Sequence, residues 1–425
     1  MMSIIRKAFV LIIVAAFACL LTTEYGFAQR RPKPPKTSKK DTTKKKKPLF
    51  VIIKPTLIPF RKDTLWGYAD TNRRLKVKPQ FSEAYPLIEG MGRVRKGDKW
   101  GFVNKSGRLI IPPRYERVND FKGGLAMVQS NSKWGFISKI GKVVVPIVYD
   151  YLYDFSGGMA AVGKGGKVGF VNKRGKLVVP TKYDGTSSFN EGLAAVGKIM
   201  GDQAKMGFVN NKGQEVIPLK YENVNDFSEG LALVYQGGKW GYINKKGQVV
   251  IPMQFELAYD FSEGLAKVNK TGKWGFINKK NREVIPFKYD ESSHSYGTFK
   301  DGLIRVRLNG REGWIDRRGR ELVALKYRGA NDFSEELAAV NFNGKWGYVN
   351  KVGRLRIPMK YDKAQDFSEG LAAVMFRGKW GFVNHRGKVV IPFKYSKADS
   401  FKEGVAKIQF GGKDGFIDRK GNQYF

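Results

Sequence analysis

A Trp-Gly dipeptide, or a recognisable replacement of it, returns along this chain at an almost fixed interval, and no other feature limits the fold more. It stands at Trp66-Gly67, Trp100-Gly101, Trp134-Gly135, Val168-Gly169, Met206-Gly207, Trp240-Gly241, Trp274-Gly275, Glu312-Gly313, Trp346-Gly347, Trp380-Gly381 and Asp414-Gly415. The steps between them are 34, 34, 34, 38, 34, 34, 38, 34, 34 and 34 residues. A period of this length means that one small supersecondary unit has been copied, each copy burying its apolar face against its neighbours. Length alone, 425 residues, would suggest two or three domains; the repeat replaces that with one array over residues 49–425.

Within a unit the residues read as three short strands. Residues 371–374, 379–383 and 388–392 are rich in β-branched and aromatic side chains and are punctuated by Gly and Asn. Between the second and third runs stands Asn or Asp, two mostly polar residues, then Gly, as at Asn104 with Gly107, Asn244 with Gly247 and Asp316 with Gly319. Asn or Asp opens a turn through its own side chain, and the glycine takes the left-handed conformation that closes the hairpin. Asn281 replaces that glycine in one unit, and Asn is the residue next most tolerant of positive φ.

On the second strand Trp380 and Phe382 share one face while Gly381 and Val383 share the other. Apolar residues on both faces imply packing on both sides, with the glycine admitting a neighbouring unit and the indole filling a slot. Where Glu312 displaces the indole, Trp314 two positions on is expected to refill part of that slot. Prolines such as Pro112, Pro146 and Pro252 are expected to close the third strand and protect an edge. The fold expected is all-β: a tandem array of about eleven three-stranded β-meander units, curved or superhelical. A closed propeller-like toroid is the alternative, disfavoured because eleven units exceed the roughly four to eight blades usual for propellers.

The core pattern K-W-G-[FY]-[IV]-[ND]-x-x-G-x-x-[VI]-[IV]-P, clearest over residues 239–252, 273–286 and 379–392, resembles the WG-repeat (KWG) family of bacterial proteins. The resemblance covers about residues 49–425 and implies a β-rich repeat module, often exported, with no established catalytic activity and no residues of agreed role. The units at Val168, Met206, Glu312 and Asp414 depart from the signature tryptophan. The first unit lacks the F-S-E-G segment and carries residues 53–60 instead, which reads as a cap.

Residues 1–28 read as a Sec signal peptide. Arg6 and Lys7 precede an apolar run over residues 8–21, and Gly26-Phe27-Ala28 places the cleavage between Ala28 and Gln29. A lipoprotein anchored through Cys19 is the alternative. As the single cysteine of the chain, Cys19 permits no intramolecular disulfide. Residues 29–48, rich in Lys, Arg and Pro, read as a disordered basic linker. The expected location is therefore outside the cytoplasm: periplasm, cell surface or extracellular.

Chemistry is sparse. The two histidines, His294 and His385, lie in different units without partner cysteines, so neither a zinc site nor a histidine triad is expected. Acid pairs such as Asp226 with Glu229, Asp260 with Glu263 and Asp366 with Glu369 recur, whereas a catalytic pair is normally singular. Turn formation, the Asp capping the bend before Gly, accounts for them. No cofactor or metal is expected. A basic column stands out instead: Lys99, Lys133, Lys167, Lys205, Lys239, Lys273, Arg311, Lys345, Lys379 and Lys413 precede the Trp-Gly position. With 77 basic against 38 acidic side chains the chain carries a formal charge of +39, which attracts polyanions. The function expected is a non-enzymatic exported binding scaffold presenting a repetitive basic surface to a protein, an anionic polysaccharide or another envelope component. A glycan-binding or glycan-active envelope protein is the alternative. No motif specific for nucleic acid and no transmembrane segment in the mature chain is expected. The insertions over residues 198–205 and 291–298, where the step lengthens, are the irregularities of the array.

Overall fold

The computed structural model describes residues 54–291 and 297–425. The residues read as signal and linker, 1–48, with Cys19, Ala28 and Gln29, and the insertion residue His294 lie outside the described residues.

Among the described residues there are eleven small antiparallel sheets, each a meander, and no helix. A typical blade runs Arg117–Val118, Leu125–Ser130, Lys133–Ser138 and Val143–Tyr149, paired in that order. The blade thus has four strands rather than three. The extra one is two residues long, too short to carry a period-two pattern. The first and eighth blades have three strands.

The Asx turns form as expected. Asn104 Oδ1 accepts the N–H groups of Ser106 and Arg108 at 3.0 Å, and Gly107 sits at φ 83°. Asn281 takes φ 60° in the same place.

Three local readings need correction. First, the glycine of Trp-Gly does not make room for a neighbouring blade. A Cβ on Gly101 would stand 2.3 Å from the Ile111 carbonyl oxygen and 2.7 Å from the Pro113 nitrogen, both in the next strand of its own blade. That strand bulges: Trp100 pairs with Tyr115 but Phe102 pairs with Ile111, so two steps on one strand face four on the other. Second, the prolines sit inside this bulge, where no ladder N–H is needed, and the strand runs on through them to the tyrosine. Third, Trp314 does not refill the tryptophan slot. It pairs with Val323 as Phe102 pairs with Ile111, so it occupies the phenylalanine position two residues further on, while the buried Glu312 holds the slot itself.

That phenylalanine position is where blades meet. Phe102 lies 4.9 Å from Phe121 of the following blade, Phe208 lies 4.8 Å from Phe227, Tyr348 4.9 Å from Phe367, and Phe382 5.0 Å from Phe401, all edge to face. Valine, isoleucine and alanine from both blades surround each pair, with the closing tyrosine of the bulged strand. The tryptophans pack at the margin of these cores. Trp274 is fully buried, whereas Trp66, Trp100, Trp134, Trp240, Trp346 and Trp380 are half-buried.

An open stack of eleven blades would have ten such cores; eleven occur among the described residues. The eleventh joins Ile58 of the first blade to Val405, Phe416 and Tyr424 of the last. Trp66 meets Phe416 edge to face at 5.9 Å, and Arg73 Nη2 donates to Asn422 Oδ1 at 3.1 Å. The array therefore closes into an eleven-bladed β-propeller, the toroidal alternative rather than the open superhelix. Ile58–Lys62, read from sequence as part of a cap, is a paired strand of blade one and half of this seam.

This assignment of roles ranks two substitutions. Phe208→Ala, at a fully buried junction, should cost about 3–5 kcal/mol of unfolding free energy, and Trp240→Ala distinctly less. Denaturant melts that place Trp240→Ala lower in stability than Phe208→Ala would reverse the ranking.

Candidate functional site

Because each blade has the same strand order, the turn joining its two long central strands falls on one face of the ring in every blade. The basic column lies there. Lys133 pairs with Asp150 and Lys167 with Asp184, while Lys273 reaches Asp290 at 2.8 Å, Lys345 reaches Asp362 at 2.6 Å and Lys239 reaches Glu256 at 3.9 Å. Lys99 lies 3.8 Å from Asp98.

The acid in this arrangement is a clasp between blades. It follows the closing tyrosine of one blade, takes the lysine of that blade, and accepts N–H groups from the hairpin turn of the next. Asp150 accepts from Gly165 at 2.7 Å, Asp362 from Gly378 at 3.2 Å, and Glu222 from Gly237 at 3.0 Å. Lys133 and then the Gly165 N–H hold the Asp150 carboxyl below the usual carboxylate range, and Lys345 with Gly378 does the same for Asp362.

Three junctions lack the acid, the first being that of blades one and two, where Ser82 stands in its place and donates to the Arg95 carbonyl at 3.2 Å. Arg328 stands in the acid position opposite Arg311, and the Gly344 N–H turns to Asn341 Oδ1 at 3.3 Å. Ser396 stands opposite Lys379 and makes its contacts with Gln409 at 3.0 and 3.1 Å. Among the described residues, Lys205, Arg311, Lys379 and Lys413 of the basic column have no carboxylate within ion-pair distance. Aligning the acid column in the sequence would have exposed Arg328 and Ser396, but the acids sit 17 residues from their lysines and do not look like partners there.

On the opposite face the F-S-E-G turns do a parallel task. Ser228 Oγ donates to the Phe261 carbonyl of the next blade at 2.7 Å, and Ser368 to that of Phe401 at 2.7 Å. Glu229 accepts from Gly264 N–H at 3.0 Å and pairs with Lys279 at 3.1 Å; Glu89 accepts from Gly123 and Gly124 at 2.7 and 2.9 Å and pairs with Lys139 at 3.2 Å. The recurrent acid pairs are thereby divided between different neighbours. Glu229 reaches forward to the next blade, whereas Asp260 accepts from Asn225 of the preceding blade at 3.3 Å, and Asp366 from Asn331 at 2.9 Å. These acids serve blade-to-blade contacts rather than local turn capping.

The junction of blades nine and ten departs from this pattern. A hollow of about 400 Å³ there is lined by Glu335, Glu336, Leu337, Asn350, Lys351, Val352, Arg356 and His385. His385 replaces the usual lysine or arginine, pairs with Glu335 at 3.0 Å and stacks on Phe367 at 4.3 Å. Glu336 holds φ 71° where most blades place glycine. Lys351 is tied to Glu336 at 2.7 Å and Asp301 at 3.1 Å. His385 and Lys351 are thus both engaged by carboxylates. No cluster able to hold a metal ion occurs among the described residues, and no helix among them is long and apolar enough to cross a membrane.

The insertion over residues 198–205 lengthens a hairpin rather than a loop: Leu193–Met200 pairs with Gln203–Asn210 in unbroken register. Of the insertion over residues 291–298, the segment 292–296 lies outside the described residues.

With this repeating geometry in place, the chain falls in the class of β-propellers built from short tandem repeats. The family model of the WG containing repeat matches it ten times between residues 66 and 413, and the chain belongs to that family. No curated protein matches it. Among solved structures, a eukaryotic initiation factor is similar at 11% identity over 72% of this chain and 96% of that one, with TM-score 0.44. The tricorn protease is similar at 12% identity over 84% of this chain and 46% of that one, with TM-score 0.24, so the chain spans under half the length of that relative.

Burial pushes the Asp226 carboxyl up to about 6, with Ser187 pulling down and Asp260 adding to the rise, and pushes Asp260 likewise to about 6. A carboxyl raised in the folded state binds more protons folded than unfolded. Its contribution therefore favours the fold at low pH and is lost as pH climbs from about 4 to about 6. Asp226→Asn combined with Asp260→Asn should leave stability at pH 4 nearly unchanged and raise it at pH 7 by about 3–5 kcal/mol. Thermal melts showing no larger gain at pH 7 than at pH 4 would contradict this.

Proposed function

We propose that this protein is a non-enzymatic, exported binding scaffold whose basic hairpin face engages an anionic component of the cell envelope. One observation carries the reading: acids on both faces are engaged as clasps between blades, while cations such as Arg311, Lys379 and Lys413 on the hairpin face are left without a carboxylate. An excess of 77 basic over 38 acidic side chains then makes the ring attractive to a polyanion, and the attraction falls as salt screens it. The non-enzymatic part rests on how the acids are used. A glycan hydrolase needs two carboxylates facing one cleft, and the recurrent Asp/Glu pairs reach different neighbouring blades. Export rests on residues 1–28, whose basic start, apolar run and small residue at Ala28 fit a cleaved signal.

Retention of the mature chain, residues 29–425, on envelope fractions is the direct test. Binding should fall steadily as salt rises from about 50 mM to about 500 mM, and Arg311→Gln with Lys379→Gln should weaken it throughout. Retention that does not change across the salt series would overturn the reading.

A further inference from the structure

The hairpin face is not uniform around the ring. In every blade but the first and fifth, the last residue of the strand entering the hairpin sits directly opposite the residue of the basic column. In blades two, four and seven this position is Lys96, Lys164 and Lys270. In the last four blades it is Leu308 opposite Arg311, Phe342 opposite Lys345, Phe376 opposite Lys379 and Phe410 opposite Lys413. Directly opposed residues share a face of the hairpin. An apolar side chain therefore stands beside a cation at four successive positions along one arc. Phe342 is 39% exposed and Phe410 is 40% exposed, although each touches the closing tyrosine of the preceding blade. Two of the three positions that lack the acid, Arg328 and Ser396, fall in this same arc.

A second apolar feature lies on the same face. The hairpin of blade five has strands of eight residues where its neighbours have six, so it projects about 7 Å beyond them at about 3.3 Å per residue. Its tip carries Ile199 and Met200, each 51% exposed. The face thus carries one apolar prong and one aromatic, basic arc.

We propose that this face seats on an anionic lipid bilayer, the phenylalanine arc and the Ile199-Met200 prong entering the interfacial region while Arg311, Lys379 and Lys413 meet headgroup phosphates. The inference rests on the binding-scaffold reading and names the partner. Charge complementarity selects an anion; the exposed phenylalanines and the Ile199-Met200 prong select an apolar interface over a soluble polymer. A prong of about 7 Å matches the roughly 5–10 Å depth reached by interfacial apolar groups. A row of cations alone would serve a polyanion equally well, and in most blades the row is neutralised by acids. It is least neutralised where the aromatic residues stand.

Co-sedimentation of the mature chain with vesicles tests this, comparing phosphatidylcholine alone with a mixture containing phosphatidylglycerol, and with retention on immobilised dextran sulfate as the soluble-polyanion control. Binding to the mixed vesicles is expected, and Phe342→Ser with Phe410→Ser, or Ile199→Ser with Met200→Ser, should weaken it by about tenfold or more without changing dextran sulfate retention. Phe342→Trp and Phe410→Trp should keep vesicle binding and shift indole emission to the blue on mixing, which covers the case in which the serine variants fail to fold. Vesicle binding indifferent to the apolar substitutions would overturn the inference. Retention on dextran sulfate without vesicle binding would overturn it while leaving the scaffold reading intact. Binding to neither would remove both.

Discussion

The edge-to-face contact between an aromatic ring of one blade and the phenylalanine of the next sets the geometry of this ring. From Phe102 with Phe121 to Phe382 with Phe401, the ring centroids stay between 4.7 and 5.4 Å. Such pairs contribute about 0.5–1.5 kcal/mol beyond the area they bury. They recur at nine of the eleven junctions, and at the junction of blades one and two Leu87 stands in the phenylalanine position. At the seam Phe416 meets Trp66 instead, so the first tryptophan of the repeat does there what phenylalanine does elsewhere.

Polar contacts then hold the junctions from both sides. On one face a serine hydroxyl and a glutamate bind the turn of the next blade. On the other a carboxylate ties a lysine to the neighbouring hairpin turn. None of these groups is worth much when exposed and alone, but each also satisfies backbone N–H groups of a turn, and the same set recurs around the ring. Regularity therefore leaves few acids available for chemistry. Interest shifts to the blades where the pattern lapses: Arg328 and Ser396 without clasps, the lengthened hairpin of blade five, and the histidine clasp at Glu335.

Much of this was legible in the sequence. Repeat period, blade number, Asx turns and the aromatic columns all follow from spacing, because local turns and alternating strands leave local signatures. Asn281 fits the glycine position of its turn for that reason, at φ 60°. Contacts between blades left weaker traces. Glu229 and Gly264 lie 35 residues apart and look like parts of two separate turns. Closure was less visible still, since Arg73 and Asn422 are 349 residues apart and nothing periodic marks them as neighbours. The tryptophans drew attention because they are large and regular, yet the ring two residues further on carries the junction. Trp314 belongs to that second column, which is why it is aromatic although Glu312 is not.

Closure of the ring by the same kind of junction that repeats within it is the claim on which the rest stands. Arg73→Cys with Asn422→Cys, made in a chain that starts at residue 29 and so omits Cys19, the single native cysteine, places two thiols across the seam. A short bis-maleimide should link them within one molecule, at a rate independent of protein concentration, and leave the chain monomeric. Products that form only between molecules and increase with concentration would show the ends apart and contradict the closed propeller.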